Sequence, residues 1–470
     1  MKFYITTSIA YANASPHIGF ALESIQADVL ARYHRINGDE VFFLTGTDEY
    51  GTKIFQAAQK ANSQPREFVD KISEDFKNLK KVLNLSWDDF IRTTDNERHW
   101  PAVHKMWELL KKDIEKRSYK GLYCVGCEAF VTEKDLIDGK CPIHLKEPEA
   151  VEEKNYFFKL SKYQNQIDEL IERDKIKIIP EVRKNEILSF VRQGLKDISI
   201  SRPKEKLSWG IPVPEDDNQV IYVWIDALTN YISALGFGGE NEEKFKKFWP
   251  ADVHLIGKDI LRFHAVIWIG MLLSAGLDLP KNIFVHGYIT SNGQKMSKSL
   301  GNVVSPIGLV DKYGTDAVRY FLLREIPSAG DGDFTEEKFL ARYNGDLANG
   351  LGNFAARVLT MASRIKLDAP SEELLKKYEQ IKNQHDSHIE EFRFNEFLSA
   401  VWSLIAGSDA MINDKKPWEN PEEKKDVMIE LILRLRIVAE QLRPFLPETS
   451  EKILTAIKEN KKPENLFPRI

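Results

Sequence analysis

Lys2-Phe-Tyr-Ile-Thr-Thr-Ser-Ile-Ala10, a loop Tyr11-Ala-Asn-Ala-Ser-Pro-His17, a periodic run from Gly19 to Arg35, and Val41-Phe-Phe-Leu-Thr-Gly-Thr-Asp-Glu-Tyr-Gly51 together decide the fold. Residues 3–9 read as a buried strand, followed by a loop through Ser15-Pro16. Leu22, Ile25, Val29 and Leu30 then recur at helical spacing, and Asn37-Gly38 ends that helix. The stretch from Val41 reads as a second buried strand closing in a polar turn. Strand, loop, helix and buried strand in succession predict the opening of a parallel, doubly wound sheet. Ligands of such sheets sit beyond the carboxyl ends of the strands, where His17 and Asp48 both fall.

Outward from this start the pattern changes. From about 116 to 210 it consists of cysteines, short strands and charged helical pieces, which read as an insertion. Buried-strand character returns with Val220-Ile-Tyr-Val-Trp224, Val253-His-Leu-Ile-Gly257 and Ile283-Phe-Val-His-Gly287, so the sheet is split in sequence. After Leu351 the pattern is helical, with no strand before the tail near Leu466. The expected class is α/β: a split parallel-sheet domain of Rossmann type with a zinc-binding insertion, then an all-α helix bundle.

The bulk numbers agree. A chain of 470 residues with 43% hydrophobic and 29% charged residues is that of a soluble globular protein with three or four folded units. No apolar run approaches the roughly 20 residues of a membrane helix. The hydroxyls of Thr6, Thr7 and Ser8, and the lack of a cleavage site after them, argue against an export signal. A cytoplasmic protein is expected. The net charge of −5 excludes a uniformly basic nucleic-acid binder but not a local basic face.

Two short segments carry the chemistry. In His17-Ile-Gly-Phe20, Gly19 lets backbone approach phosphate, the helix N-terminus favours anions, and an imidazole can donate to a phosphate oxygen. An ordinary turn is the alternative. In Lys295-Met-Ser-Lys-Ser299, Gly293 and Gly301 flank Lys295 and Lys298, mobile point charges suited to a departing pyrophosphate. A solvated basic loop is the alternative there. Together, the pair reads as two halves of one nucleotide site. The three cysteines fall in one short segment, as Cys124-x-x-Cys127 and Cys141-x-x-His144. Three thiolates and an imidazole at this spacing suit tetrahedral zinc, and four protein ligands make it structural. Trp224, Ala227, Leu228 and Tyr231 share one helical face, as do Asn353 and Arg357; from spacing alone, core packing and an ordinary bundle surface are the default readings.

The two hallmark segments resemble those of class I aminoacyl-tRNA synthetases, and most closely the methionyl-tRNA synthetases. Further matches are Tyr11-Ala-Asn13, Gly46-Thr-Asp-Glu49, Gly121-Leu-Tyr-Cys124, Trp209-Gly-Ile-Pro212, Tyr222-Val-Trp-Ile-Asp-Ala227, Ile256-Gly-Lys-Asp-Ile260 and Lys416-Pro-Trp418, so the likeness covers essentially the whole chain. It departs at Phe20, where the family hallmark has a second histidine, and at Tyr50, where many bacterial relatives have histidine. Phenylalanine cannot donate to phosphate, so adenylation weaker by about 10²–10³ is expected unless the Tyr50 hydroxyl compensates.

The resemblance implies a methionine–tRNA ligase that uses ATP with Mg²⁺, L-methionine, and both initiator and elongator methionine tRNAs. It implies a catalytic domain in halves at 1–115 and 211–290. Between them lies a connective insertion at 116–210, which helps align the tRNA acceptor end. The lysine loop and stem-contact region would span 291–345, and an anticodon-binding helical domain 346–470. His17, Lys295 and Lys298 would be catalytic, and Gly19, Phe20, Asp259 and Ser297 would join them at ATP. Ile9, Tyr11, Trp224, Ala227, Leu228, Tyr231, Ile260 and His264 would line the methionine pocket, with Asp48 on the ammonium. Asn353, Arg357 and Trp418 would read the anticodon. A hydrophobic pocket rejects a near-isostere by only roughly 10–200-fold, so relatives for branched amino acids carry an editing domain. The insertion of about 95 residues leaves no room for one. A monomer is expected, because no appended module follows the bundle. Another class I synthetase, or a weakly active tRNA-binding relative, is the alternative.

Overall fold

The computed structural model describes residues 1–124, 129–131, 133, 136–142, 145–296, 301–461 and 464–470. The chain divides into two compact units. Met1–Pro16, Asn37–Asn78 and Trp87–Val285 form the first; His17–Ile36, which holds helix α1 (Ile18–Ile36), with Leu79–Ser86 and His286–Ile470, forms the second.

The first unit is built on a seven-stranded sheet of β1 (Lys2–Thr7), β2 (Ala10–Tyr11), β3 (Glu40–Asp48), β4 (Asp89–Arg92), β5 (Lys177–Ile179), β6 (Val253–Gly257) and β7 (Asn282–His286). β1 lies between β3 and β6 and pairs in parallel with both. β2 and β4 are parallel to β3, and β5 is parallel to β7. β1 and β6 are buried almost throughout, because a parallel sheet is covered on both faces and its strands must be apolar without alternation. The expected parallel sheet, split in sequence, is therefore present. Helices α2 (His99–Leu110) and α3 (Val223–Ser233) pack on each other in the same unit.

One expectation is corrected. The run from Val220 is not a strand of the parallel sheet: its strand, Asp216–Ile221, belongs to a three-stranded antiparallel sheet, and α3 begins at Val223. Ile221, Tyr222 and Ile225 are all buried, so a buried helix start continued the apolar run of a short strand and hid the change of period. Conversely β5, only three residues long, joins the parallel sheet from within the cysteine-bearing stretch. That stretch otherwise forms a four-stranded sheet from Ala129–Val131, Ile114–Cys124, Glu149–Phe158 and Ile198–Ser199.

The second unit joins α1 to α4 (Thr315–Arg324) and to the helices α5 (Asn353–Ala362), α6 (Glu372–Glu390), α7 (Phe394–Lys415), α8 (Lys425–Leu442) and α9 (Pro447–Glu459). The bundle is as expected, but the described tail near Leu466 forms no strand. No helix among the described residues is long and apolar enough to cross a membrane.

A buried guanidinium holds this unit together. Arg319, fully buried, donates to the carbonyls of Phe445 (2.7 Å), Pro444 (2.8 Å) and Leu83 (3.0 Å) and pairs with Asp28 at 2.7 Å. Burial alone would raise the Asp28 carboxyl, but Arg319, Arg32 and the Ser86 amide outweigh it and hold the carboxyl below its usual range. Asp28 thus contributes stability that is present above about pH 4 and lost as pH falls through its folded value. Arg319→Ala leaves that carboxylate buried without its main partner, and chemical denaturation should show a loss of about 3–5 kcal/mol at pH 7.

Candidate active site

The histidine turn lies in the second unit, at the start of α1. The Gly19 amide donates to His17 Nδ1 at 3.0 Å, and the Phe20 and Ala21 amides donate to the His17 carbonyl at 3.1 and 3.2 Å. A Cβ on residue 19 would sit 2.7 Å from His17 Cε1, so only glycine allows the ring to fold back over the helix start. The surrounding protein mass lowers the pKa of His17 below the ordinary histidine value, favouring the neutral ring. With Nδ1 accepting from Gly19, the proton of that ring lies on Nε2. The outward edge of His17 is a hydrogen-bond donor.

The lysine segment belongs to the same unit. Lys295 is exposed on the short strand Gln294–Lys295, antiparallel to Ile289–Ser291, with its Nζ 5.6 Å from the centre of the Tyr288 ring. Gly293 and Gly301 have φ of 73° and 65°, the left-handed region that glycine supplies without strain. The Gly293 amide donates to Asp333 Oδ1 at 2.7 Å, and Asn302 Nδ2 donates to the Lys295 carbonyl at 3.2 Å. Just beyond the segment, the Val304 carbonyl accepts from the Ile18 amide at 3.1 Å. The two hallmark regions, far apart in sequence, are tied backbone to backbone. Ser297 and Lys298 lie outside the described residues.

The residues expected to seat the amino acid lie in the first unit, and several of their rings pack together. Trp224 stacks on Phe263 with ring centres 3.5 Å apart and planes 7° from parallel. Tyr231 Oη and His264 Nε2 are 2.7 Å apart, and His264 Nδ1 is 2.9 Å from the Ile260 carbonyl. The carbonyl can only accept, so Nδ1 carries the proton and Nε2 accepts from the tyrosine. Behind them Tyr4 Oη donates to the Tyr231 carbonyl at 2.6 Å, and His254 Nδ1 lies 2.8 Å from Thr6 Oγ1. Trp268 Nε1 donates to His254 Nε2 at 3.3 Å. Ala227 and Leu228 are buried on α3. Ile9 approaches Gly46 so closely that a Cβ there would meet its Cγ2 at 3.0 Å and the Ile91 carbonyl at 2.1 Å. Tyr11 pairs in register with Asp48, the buried last residue of β3, whose carbonyl accepts from Ala12 at 2.8 Å. Asp259 is exposed on the turn after β6. Sequence reasoning missed Thr6, His254, Phe263 and Trp268. The available signal was His254, a polar residue inside the apolar strand Val253–Gly257, which needs partners when buried.

The remaining expected residues divide likewise. Cys124 ends its strand and Cys141 sits in a tight turn; both are buried, while Cys127 and His144 lie outside the described residues. Among the described residues no three potential ligands cluster. In the bundle, Asn353 is exposed at the start of α5, and Arg357 is held by Asp409 (3.0 Å) and Asn413 (2.8 Å). Trp418 is 46% exposed, two residues past Lys416, whose φ is 44°.

Burial pushes His264 down to about 4 and His254 well below the usual histidine value. Both are neutral at pH 7. An unfolded chain takes up these protons first, so the stability they carry is present above about pH 6.5 and lost as pH falls toward 4. His264→Asn should flatten the stability–pH curve between those limits by up to about 1.4 kcal/mol per pH unit, as followed by urea unfolding.

The family described as "tRNA synthetases class I (M)" matches residues 3–147 and 131–359. The methionine–tRNA ligase of Thermotoga maritima is 45% identical over 98% of this chain and 76% of its own length. That of Brucella suis is 43% identical over 96% of this chain and 91% of its own. Among solved structures, Mycobacterium tuberculosis methionyl-tRNA synthetase in complex with methionyl-adenylate aligns over the whole of both chains, with TM-score 0.93 and 37% identity. By these likenesses the chain belongs to the methionyl class I tRNA synthetases.

Proposed function

We propose that the protein joins methionine to its tRNA in two steps. A methionine carboxylate oxygen attacks the α-phosphorus of ATP, giving methionyl-adenylate and releasing pyrophosphate. A ribose hydroxyl of the tRNA 3′-terminal adenosine then attacks the acyl carbon, forming the ester and releasing AMP. No protein nucleophile is needed, so rate comes from positioning and charge stabilisation. The observation that carries this reading is the bond from Ile18 to Val304, which links the donor edge of His17 to the segment bearing Lys295.

In this reading His17 Nε2–H donates to a phosphate oxygen, and Lys295 and Lys298 draw off the pyrophosphate. Gly19, Phe20, Asp259 and Ser297 complete the nucleotide site. ATP is used with Mg²⁺, which screens the triphosphate charge. Ile9, Tyr11, Trp224, Ala227, Leu228, Tyr231, Ile260 and His264 seat the methionine side chain, and Asp48 its ammonium. A lining of aromatic rings and neutral histidines suits a polarisable thioether, each sulfur–aromatic contact contributing about 0.3–1.5 kcal/mol. Asn353, Arg357 and Trp418 read the anticodon of initiator and elongator methionine tRNAs, and the enzyme acts as a cytoplasmic monomer.

Methionine alone, in a panel of amino acids, should support pyrophosphate exchange. Trp418→Ala should lower kcat/KM for tRNA charging by about 5- to 150-fold, the range of one lost base stack, while exchange holds. Equal loss of both activities would remove Trp418 from the RNA contact. Phe20→His should speed exchange, and an unchanged rate would show that phenylalanine is no handicap there.

One structural zinc fits the insertion. Cysteine thiolates and imidazole are donors that zinc selects, and Cys124 and Cys141 are both buried. Cys124 and Cys141 would hold it together with Cys127 and His144. Metal analysis should find one equivalent, and Cys124→Ala should release it and expose the insertion to proteolysis; a metal-free, equally resistant wild type would overturn the assignment.

A further inference from the structure

The helix that bears the expected pocket wall is gripped from behind by one imidazole. His99, in the first turn of α2, has Nε2 2.7 Å from Asp226 Oδ1 and Nδ1 2.7 Å from Ser233 Oγ. All three side chains are buried to within 1%. Asp226 lies in the first turn of α3 and Ser233 is its last residue. They are seven residues apart, two turns of one face. At about 100° per residue, Trp224, Ala227, Leu228 and Tyr231 fall on the roughly opposite face. One ring therefore fixes α3 at both ends, on the side away from the pocket.

The ring is itself held firmly. Asp95 Oδ1 accepts from the amides of Glu97 (3.1 Å) and Arg98 (3.0 Å), and the Asp95 carbonyl from that of His99 (2.9 Å), which caps the start of α2. Burial pushes the Asp226 carboxyl upward, and nearby Glu49 adds to it, against the pull of the His99 hydrogen bond. Complete burial bars substrate from these groups. Their arrangement resembles a nucleophile triad, yet it has no access for an acyl group.

We propose that His99 is a positioning residue for methionine, setting the rotation and height of α3 through Asp226 and Ser233 so that Trp224 and Tyr231 meet the substrate side chain. This rests on the reading of the pocket given above. It differs from general stabilisation in what it moves: the methionine site should loosen while the nucleotide site does not.

The test is pyrophosphate exchange with the full chain, varying methionine and ATP separately in wild type, Ser233→Ala and His99→Gln. Ser233→Ala removes one hydrogen bond and should raise KM for methionine by about 2- to 10-fold. His99→Gln can reach only one partner and should raise it by about 5- to 100-fold. In both, kcat and the KM for ATP should stay within about twofold of wild type, as a purely positional effect on one substrate requires. If His99→Gln does not fold, Ser233→Ala carries the test alone. Parallel rises for ATP and methionine, or no change in either, would overturn the role of His99 while leaving the ligase reading intact. A wild type without methionine-dependent exchange would overturn the reading of the pocket, and this inference with it.

Discussion

In the proposed reading, the hydrogen bond from the Gly19 amide to His17 Nδ1 is the constraint on which the nucleotide chemistry turns. It occupies the inner nitrogen, so in the neutral ring the outer nitrogen carries the proton, and the turn presents a donor where a triphosphate oxygen would lie. It works only because residue 19 has no Cβ to collide with the ring. The same turn sends the Ile18 amide to Val304, anchoring the exit of the lysine segment. Left-handed glycines at 293 and 301 and the bonds of Asp333 and Asn302 define the remaining anchor points. The histidine turn and the anchors of the lysine segment are therefore a backbone construction, to which, in the proposed reading, side chains add the charge and the proton.

The proposed methionine pocket, in the first unit, is built the other way, through side chains. The Ile260 carbonyl beside His264 and the Trp268 indole beside His254 set both histidine tautomers. Each ring gives its proton to an oxygen, the Ile260 carbonyl or the Thr6 hydroxyl, and accepts on its other nitrogen. The result is a rigid polar network in a core where an unsatisfied group would cost about 1–3 kcal/mol.

Much of this was legible in the sequence, and the exceptions have physical causes. The opening strand, helix and strand were plain because two unalternating buried runs flank a 3.6-residue period, and β1, α1 and β3 lie within three residues of their expected bounds. The run from Val220 misled because a strand and a buried helix share one apolar stretch, so period could not separate them. β5 escaped notice because three residues carry no period. The pocket rings Trp224 and Tyr231 were visible as a helical stripe. Their partners Phe263, His254 and Thr6 were not, since contacts across a sheet or between helices leave no local pattern. The grip of His99 on α3 joins positions 127 and 134 residues apart, beyond any motif.

The low proton affinity of His264 and His254 reaches past the fold itself. In the proposed reading, the two imidazoles stay uncharged at neutral pH, so the thioether end of the guest is held by shape and polarisability, and formal charge enters only where Asp48 meets the ammonium.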